Sequence, residues 1–295
     1  MTLQNKSMES RQLKWLLLAV LALIWGSSFI LIKRGLVGLT PLQLGSLRML
    51  FAFCFLIIVG FKSLTQISLG KWKYIALTAF TGTFVPAFLF AIAQSEIDSS
   101  ISAILNSLTP LNALILGVTF FGLAFQRSQF IGVMIGLAGS LILILSGAVH
   151  NPDQNYWYAL FVVVATCCYA LNVNFIKKYL SDVNPLAITT GNFVLLAVPA
   201  LVILSFTGFF GQLQEVKVQH SVLFVGILGI IGTGIANMLY FKLIHMTSPV
   251  FAASSAYLFP VVAIFWGLLD GEVLTMIQVL GAVIILSGVY LSAKK

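Results

Sequence analysis

Ser102, Asn106 and Thr109 follow an i, i+4, i+7 spacing inside an otherwise apolar stretch and end beside Pro110. In a helix they fall on one face and set two hydroxyls and an amide in line. Thr233, Asn237 and Tyr240 repeat that spacing further along. Such stripes offer hydrogen-bond partners to a polar solute, or else they join two helices, a contact worth ~0.6 kcal/mol in a membrane. Trp25 and Ser28 stand at i, i+3, as do Tyr169 and Asn172, so each pair couples an aromatic ring to a short polar group. A wall of that kind suits an amphipathic or aromatic solute, although Trp25 would serve equally in a helix contact or an interfacial belt. Arg48 is the only arginine well inside an apolar run. Its fork matches a carboxylate or phosphate, or its stem carries the charge out to the membrane surface. Thr109 and Thr233 complete the stripes; the other nine residues form the candidate solute-binding set.

This chemistry is binding, not bond-making. The chain has no Gly-x-x-x-x-Gly-Lys-Ser/Thr loop, no His-Glu-x-x-His and no Gly-x-Ser-x-Gly. His150, His220 and His245 lie near the ends of apolar runs, where no nucleophile and base converge. Cys54, Cys167 and Cys168 sit inside apolar runs and read as small packing residues, not as disulfides or metal ligands. No enzyme, cofactor or metal is expected. His245 could titrate near neutrality, but beside Lys242 it also fits an interfacial position. Glu272 is expected to cap the final helix at its positive N-terminal end.

The elements that must position these residues are set by composition. Of 295 residues, 60% are hydrophobic and 8% charged, with a mean hydropathy of +1.05, whereas a soluble domain carries about 25% charged residues. A water-soluble fold is excluded. At ~20 apolar residues per span, the chain accommodates about ten membrane helices joined by short connections. The net charge is +8, yet the basic residues cluster between apolar runs and form no stripe that could track phosphates, so nucleic acid is not an expected partner. Placing the N-terminus in the cytoplasm puts Lys14, Lys62, Lys71, Lys73, Lys177 and Lys178 on the inner side, as does most of the remaining basic charge, Lys294 and Lys295 included. That asymmetry satisfies the positive-inside rule and returns the C-terminus to the cytoplasm.

The two halves repeat. Lys33 and Pro41 match Lys177 and Pro185 at one offset; Gly82, Thr83 and Pro110 match Gly232, Thr233 and Pro260 at a second. Gly122, Gly132 and Gly139 match Gly271, Gly281 and Gly288 at a third, one residue shorter. The expected organisation is a cytoplasmic segment 1–13, a five-helix unit 14–147 and a second unit 148–295. Because five is odd, the second unit enters the membrane from the opposite side, which is the symmetry alternating access requires. Under these offsets Trp25 corresponds to Tyr169, Ser28 to Asn172, Arg48 to Asn192, Asn237 to Ala87 and Tyr240 to Phe90. Pro86, Pro110, Pro199 and Pro260 lie within spans and are expected to bend them or free carbonyls. Gly132, Gly136 and Gly139 form a flat face suited to close helix packing or to a homodimer.

Trp25-Gly26-Ser27-Ser28-Phe29 with Lys33, then Ser248-Pro249 through Pro260 to Gly271-Glu272 with Gln278, Gly281 and Gly288, resembles the EamA branch of the drug/metabolite transporter superfamily. The resemblance covers nearly the whole chain. It implies an all-α membrane protein of ten helices in two inverted five-helix halves, with both termini cytoplasmic. It also implies export or exchange of small metabolites through a central cavity, and it leaves the solute open. Leu123 stands where the first half would carry the counterpart of Glu272, so only one half can supply that acid. The expected function is secondary transport of small polar metabolites, such as amino acids, across the inner membrane. The rival classes are a membrane-embedded enzyme and a receptor or structural membrane protein.

Overall fold

A computed structural model describes residues 3–124, 127–150, 155–272 and 275–293; Lys294 and Lys295, used above to orient the chain, lie outside them. Among the described residues the chain is helical without a strand. The first half contains α1 (Leu3–Gly35), α2 (Pro41–Gly60), α3 (Leu69–Ala93), α4 (Ser99–Phe121) and α5 (Arg127–His150). The second contains α6 (Ala159–Tyr179), α7 (Pro185–Ser205), α8 (Val216–Met246), α9 (Pro249–Leu269) and α10 (Met276–Ala293). Eight helices, all but α5 and α10, are long and apolar enough to cross a membrane by length and composition among the described residues. Leu23, Ile58, Val198 and Phe265 are exposed on this bundle, as expected of side chains that face acyl chains and not water.

Local chemistry fixes where the helices begin and end. Thr40 and Gln43 form a capping box at the start of α2, with Pro41 in the first turn, where its missing N–H costs nothing. Asn184 caps α7 ahead of Pro185, and Ser248 caps α9 ahead of Pro249. Gly122 and Gly271, just past α4 and α9, have φ of 75° and 86°, a left-handed conformation that favours glycine.

The packing has the symmetry of an exchanged pair. α1 lies against α8 and α9, while α6 lies against α3 and α4; α2 packs on α7, α4 on α9 and α5 on α10. Swapping the halves reproduces each of these contacts. At the α5–α10 interface, a Cβ on Gly288 would run into the backbone of Gly132 and Gly136, so these two glycines let α10 of the same chain pack closely on α5.

Four helices are irregular, in matched pairs. α3 winds as a π-helix over Phe80–Phe84 and α8 over Ile230–Ile235. α4 tightens to a 3₁₀ turn over Asn106–Leu108 and α9 over Ser254–Tyr257. Pro110 and Pro260 follow the two 3₁₀ turns closely; a proline lacks the donor for the i−4 carbonyl and its ring crowds that carbonyl, which disfavours α winding in the preceding turn. Pro86 follows the first π segment, but the second has no proline and its sequence is Ile-Ile-Gly-Thr-Gly-Ile instead. Pro199 differs from expectation: α7 runs through it without a break.

Candidate functional site

The four irregular segments surround one cavity at the centre of the bundle. Its free interior is about 70 Å³ on a measure where one water needs roughly 10–15 Å³. Several waters, or part of a small solute, fit. Eight of the nine candidate residues line it: Trp25 and Ser28 from α1, Arg48 from α2, Asn106 from α4, Tyr169 and Asn172 from α6, and Asn237 and Tyr240 from α8. Ser102 does not. It lies one turn before Asn106 on α4, in a stretch packed on α9, and is fully buried with no hydrogen-bond partner for its hydroxyl among the described residues.

Two groups of aromatic rings line the cavity. Trp25 meets Tyr240 edge-on at 4.8 Å and Phe259 at 5.6 Å; Tyr169 stacks on Phe90 at 5.9 Å, and Phe90 meets Phe29 edge-on at 5.8 Å. Trp25–Tyr240 and Tyr169–Phe90 are the same contact in the two halves. A second matched pair lies beside them. A Cβ on Gly232 would come 2.8 Å from the Ser28 hydroxyl, and one on Gly82 would come 2.5 Å from the Asn172 carboxamide. Glycine therefore lets α8 approach α1, and α3 approach α6, at equivalent points.

The π segments also set the polar geometry. Within the second π segment the Gly232 carbonyl accepts from Trp25 Nε1 at 2.8 Å, so the indole N–H is used within the protein and its ring is what a solute meets. Thr233 donates to the Leu228 carbonyl five residues back, at 3.0 Å, and accepts from Arg48 Nε at 2.6 Å. Arg48 is thereby held inside the bundle, 8% exposed, and does not reach outward. Its counterpart Asn192 is buried against Thr78 instead. Asn237 makes no hydrogen bond to a described residue, and Asn106 accepts from the Thr109 hydroxyl at its backbone carbonyl, 2.8 Å, and at its side-chain Oδ1, 3.2 Å. The Asn237 amide and the Asn106 Nδ2, which has no partner among the described residues, remain available to a guest.

Phe29, Phe90, Phe259, Thr83 and Ser255 also line the cavity and were not in the candidate set. Phe90 was within reach, because it is the counterpart of Tyr240. Phe29 and Phe259 had no signal among 24 phenylalanines, since a phenylalanine in an apolar helix faces lipid, core or cavity alike.

At one end of α1 a charged cluster ties three helices. Lys33 Nζ lies 2.7 Å from Asp270 and 2.8 Å from Glu272; Glu272 also accepts from Ser99 at 2.7 Å and from Ser100, and Arg34 pairs with Asp270. Glu272 thus bonds across to α1 and to the start of α4; residues 273 and 274, between it and α10, lie outside the described ones. Burial acts to raise its carboxyl, but the Lys33, Ser100 and Ser99 hydrogen bonds outweigh that and hold it below the usual value. In the other half, Lys177 donates to the Ile244 and His245 carbonyls at the end of α8, at 3.2 and 3.3 Å. The Lys33 and Lys177 counterparts are anchored by different chemistry. His245 lies at that end and not at the cavity.

Comparison with known proteins gives the fold a context. The EamA-like transporter family matches residues 13–145 and again 156–294. The inner membrane transporter YedA of Escherichia coli K12, itself uncharacterised, is 30% identical over 96% of this chain and 92% of its own. An uncharacterised transporter of Archaeoglobus fulgidus is 27% identical over 96% and 99%. The S-adenosylmethionine/S-adenosylhomocysteine transporter of Chlamydia muridarum is 24% identical over 85% and 82%. A solved crystal structure superposes with a TM-score of 0.68 at 16% identity, covering 94% of this chain and 95% of the other, a likeness of fold alone.

Proposed function

The chain belongs to the EamA-like transporter family, and from that premise we propose that it is a secondary transporter carrying a small polar metabolite through the central cavity by alternating access. It is a membrane transporter and not an enzyme. In this proposal all ten helices cross the membrane, residues 14–147 and 148–295 form two oppositely inserted units, and both termini are cytoplasmic. The inner-membrane relative YedA supports placement in that membrane. The observation that carries the mechanism is the matched pair of helix breaks around one polar cavity. π and 3₁₀ turns are irregular winding, which in a membrane protein is tolerated where it is packed in protein or lines a water-filled cavity and not where it faces lipid. Export or exchange of a small polar metabolite suits the amides and hydroxyls there.

Counterflow into liposomes holding the purified protein tests this, with a labelled panel of amino acids, nucleosides and organic acids. At least one solute is expected to move faster than in empty liposomes. Asn106→Ala and Asn237→Ala are each expected to slow it by about tenfold, the worth of roughly one lost polar contact of 1.4 kcal/mol. Unchanged flux in both folded variants would remove the cavity as the route.

A further inference from the structure

We propose that the cavity is built for an organic monoanion, a carboxylate that meets Arg48 joined to a flat apolar body held between the two aromatic groups. This rests on the cavity being the transport path. Arg48 is the only charged residue that lines it, and among the described residues no carboxylate lies within ion-pair distance of its guanidinium. A lone cation at such depth is costly, roughly 2.5–3.5 kcal/mol for a central arginine on the insertion scale. Its Asn192 counterpart shows that the fold closes at the equivalent point with a neutral side chain.

Geometry adds what charge alone does not. Thr233 takes the Nε hydrogen and fixes the plane of the guanidinium, while both Nη groups have no hydrogen-bond partner among the described residues. Two parallel N–H donors at the end of a fixed plane match the two oxygens of a carboxylate. Rings line the cavity in two contacting groups: Trp25, Tyr240 and Phe259, and Phe29, Phe90 and Tyr169. A flat body between them buries apolar area against ring faces and edges. An ammonium has no comparable place. The lining holds no acid, so a zwitterion would bring a second charge with only amide, hydroxyl and ring partners, beside a like-charged arginine.

Titration calorimetry of the full chain in detergent micelles tests the inference with four probes of one shape: 3-phenylpropanoate, its amide, 3-phenylpropylamine and phenylalanine. The carboxylate is expected to bind at least about tenfold tighter than each of the others, a difference of about 1.4 kcal/mol. In Arg48→Gln that ratio to the amide falls to about one, and Arg48→Lys, which keeps the charge without the fork, restores part of it. Monodispersity of each variant checks folding, and a purely structural Arg48 would leave the ratio unchanged. Tightest binding of the amine or phenylalanine, a ratio that survives in Arg48→Gln, or no binding of the carboxylate would overturn the inference. Each of those results leaves the transporter assignment standing, which falls only if counterflow is absent for the whole solute panel.

Discussion

Gly82→Leu is expected to yield a folded protein whose solute flux is cut by about 10- to 100-fold. Gly82 lines the cavity on the π segment of α3, and its backbone is helical, so a larger residue meets no conformational penalty there. The obstacle is the Asn172 carboxamide, 2.5 Å from where a Cβ would stand. That carboxamide can swing away cheaply, because its buried Oδ1 has no hydrogen-bond partner among the described residues. The four added carbons then occupy a space that holds roughly five to seven waters. Overpacking a bound solute by a residue of this size costs about 1–3 kcal/mol, which at 1.4 kcal/mol per decade gives the stated range. Gly82→Ala places one carbon where the carboxamide can yield and is expected to stay within a few-fold of wild type. Counterflow rates at matched protein content check both; equal rates for Gly82→Leu and wild type would mean that solute passes elsewhere.

Glu272→Gln is expected to destabilise the folded state by about 2 kcal/mol at pH 7. The substitution keeps the shape but removes the charge that Lys33, Ser99 and Ser100 all address. Glu272 is 4% exposed and Lys33 33%; Lys33 also keeps its second partner Asp270 at 2.7 Å, so the loss stays below that of a fully buried, isolated pair. The sign of the pH dependence follows from the depressed carboxyl of Glu272. Its stabilising effect is complete above the unfolded value of about 4.3 and is lost as pH falls through the lower folded value. The gap between wild type and variant should therefore be constant near neutrality and close below about pH 4. Reversible unfolding in mixed micelles measures it. A gap that persists at low pH would show that shape, not charge, holds the cluster.

The helices and their pairing were largely legible in the sequence, because apolar run length and recurring proline and glycine are direct consequences of spanning lipid. Pro110 and Pro260, matched by spacing, sit at the two 3₁₀ breaks, and Gly82-Thr83 and Gly232-Thr233 fall within the two π segments. The π winding itself was not legible: a single added residue per turn alters no apolar period, yet it decides that Thr233 faces Arg48 and that the Gly232 carbonyl meets Trp25. Arg48 stood between an anion site and an outward path for the same reason, since the group that holds it inside is on α8, far along the chain. Helical spacing put Ser102 and Asn106 on one face correctly, but spacing carries no depth, and the cavity ends at Asn106. Glu272 was expected to serve its own helix; its partners Lys33, Ser99 and Ser100 come from the first half, and only the folded chain brings them near.

Thiol accessibility at the cavity floor tests two-sided opening most directly. Asn106→Cys, in a chain with Cys54, Cys167 and Cys168 replaced by alanine, is exposed to a membrane-impermeant maleimide in right-side-out and in inverted vesicles. Alternating access predicts modification from each side, slowed in both by a solute that shows counterflow. Modification from one side alone, whatever solute or gradient is applied, would contradict it.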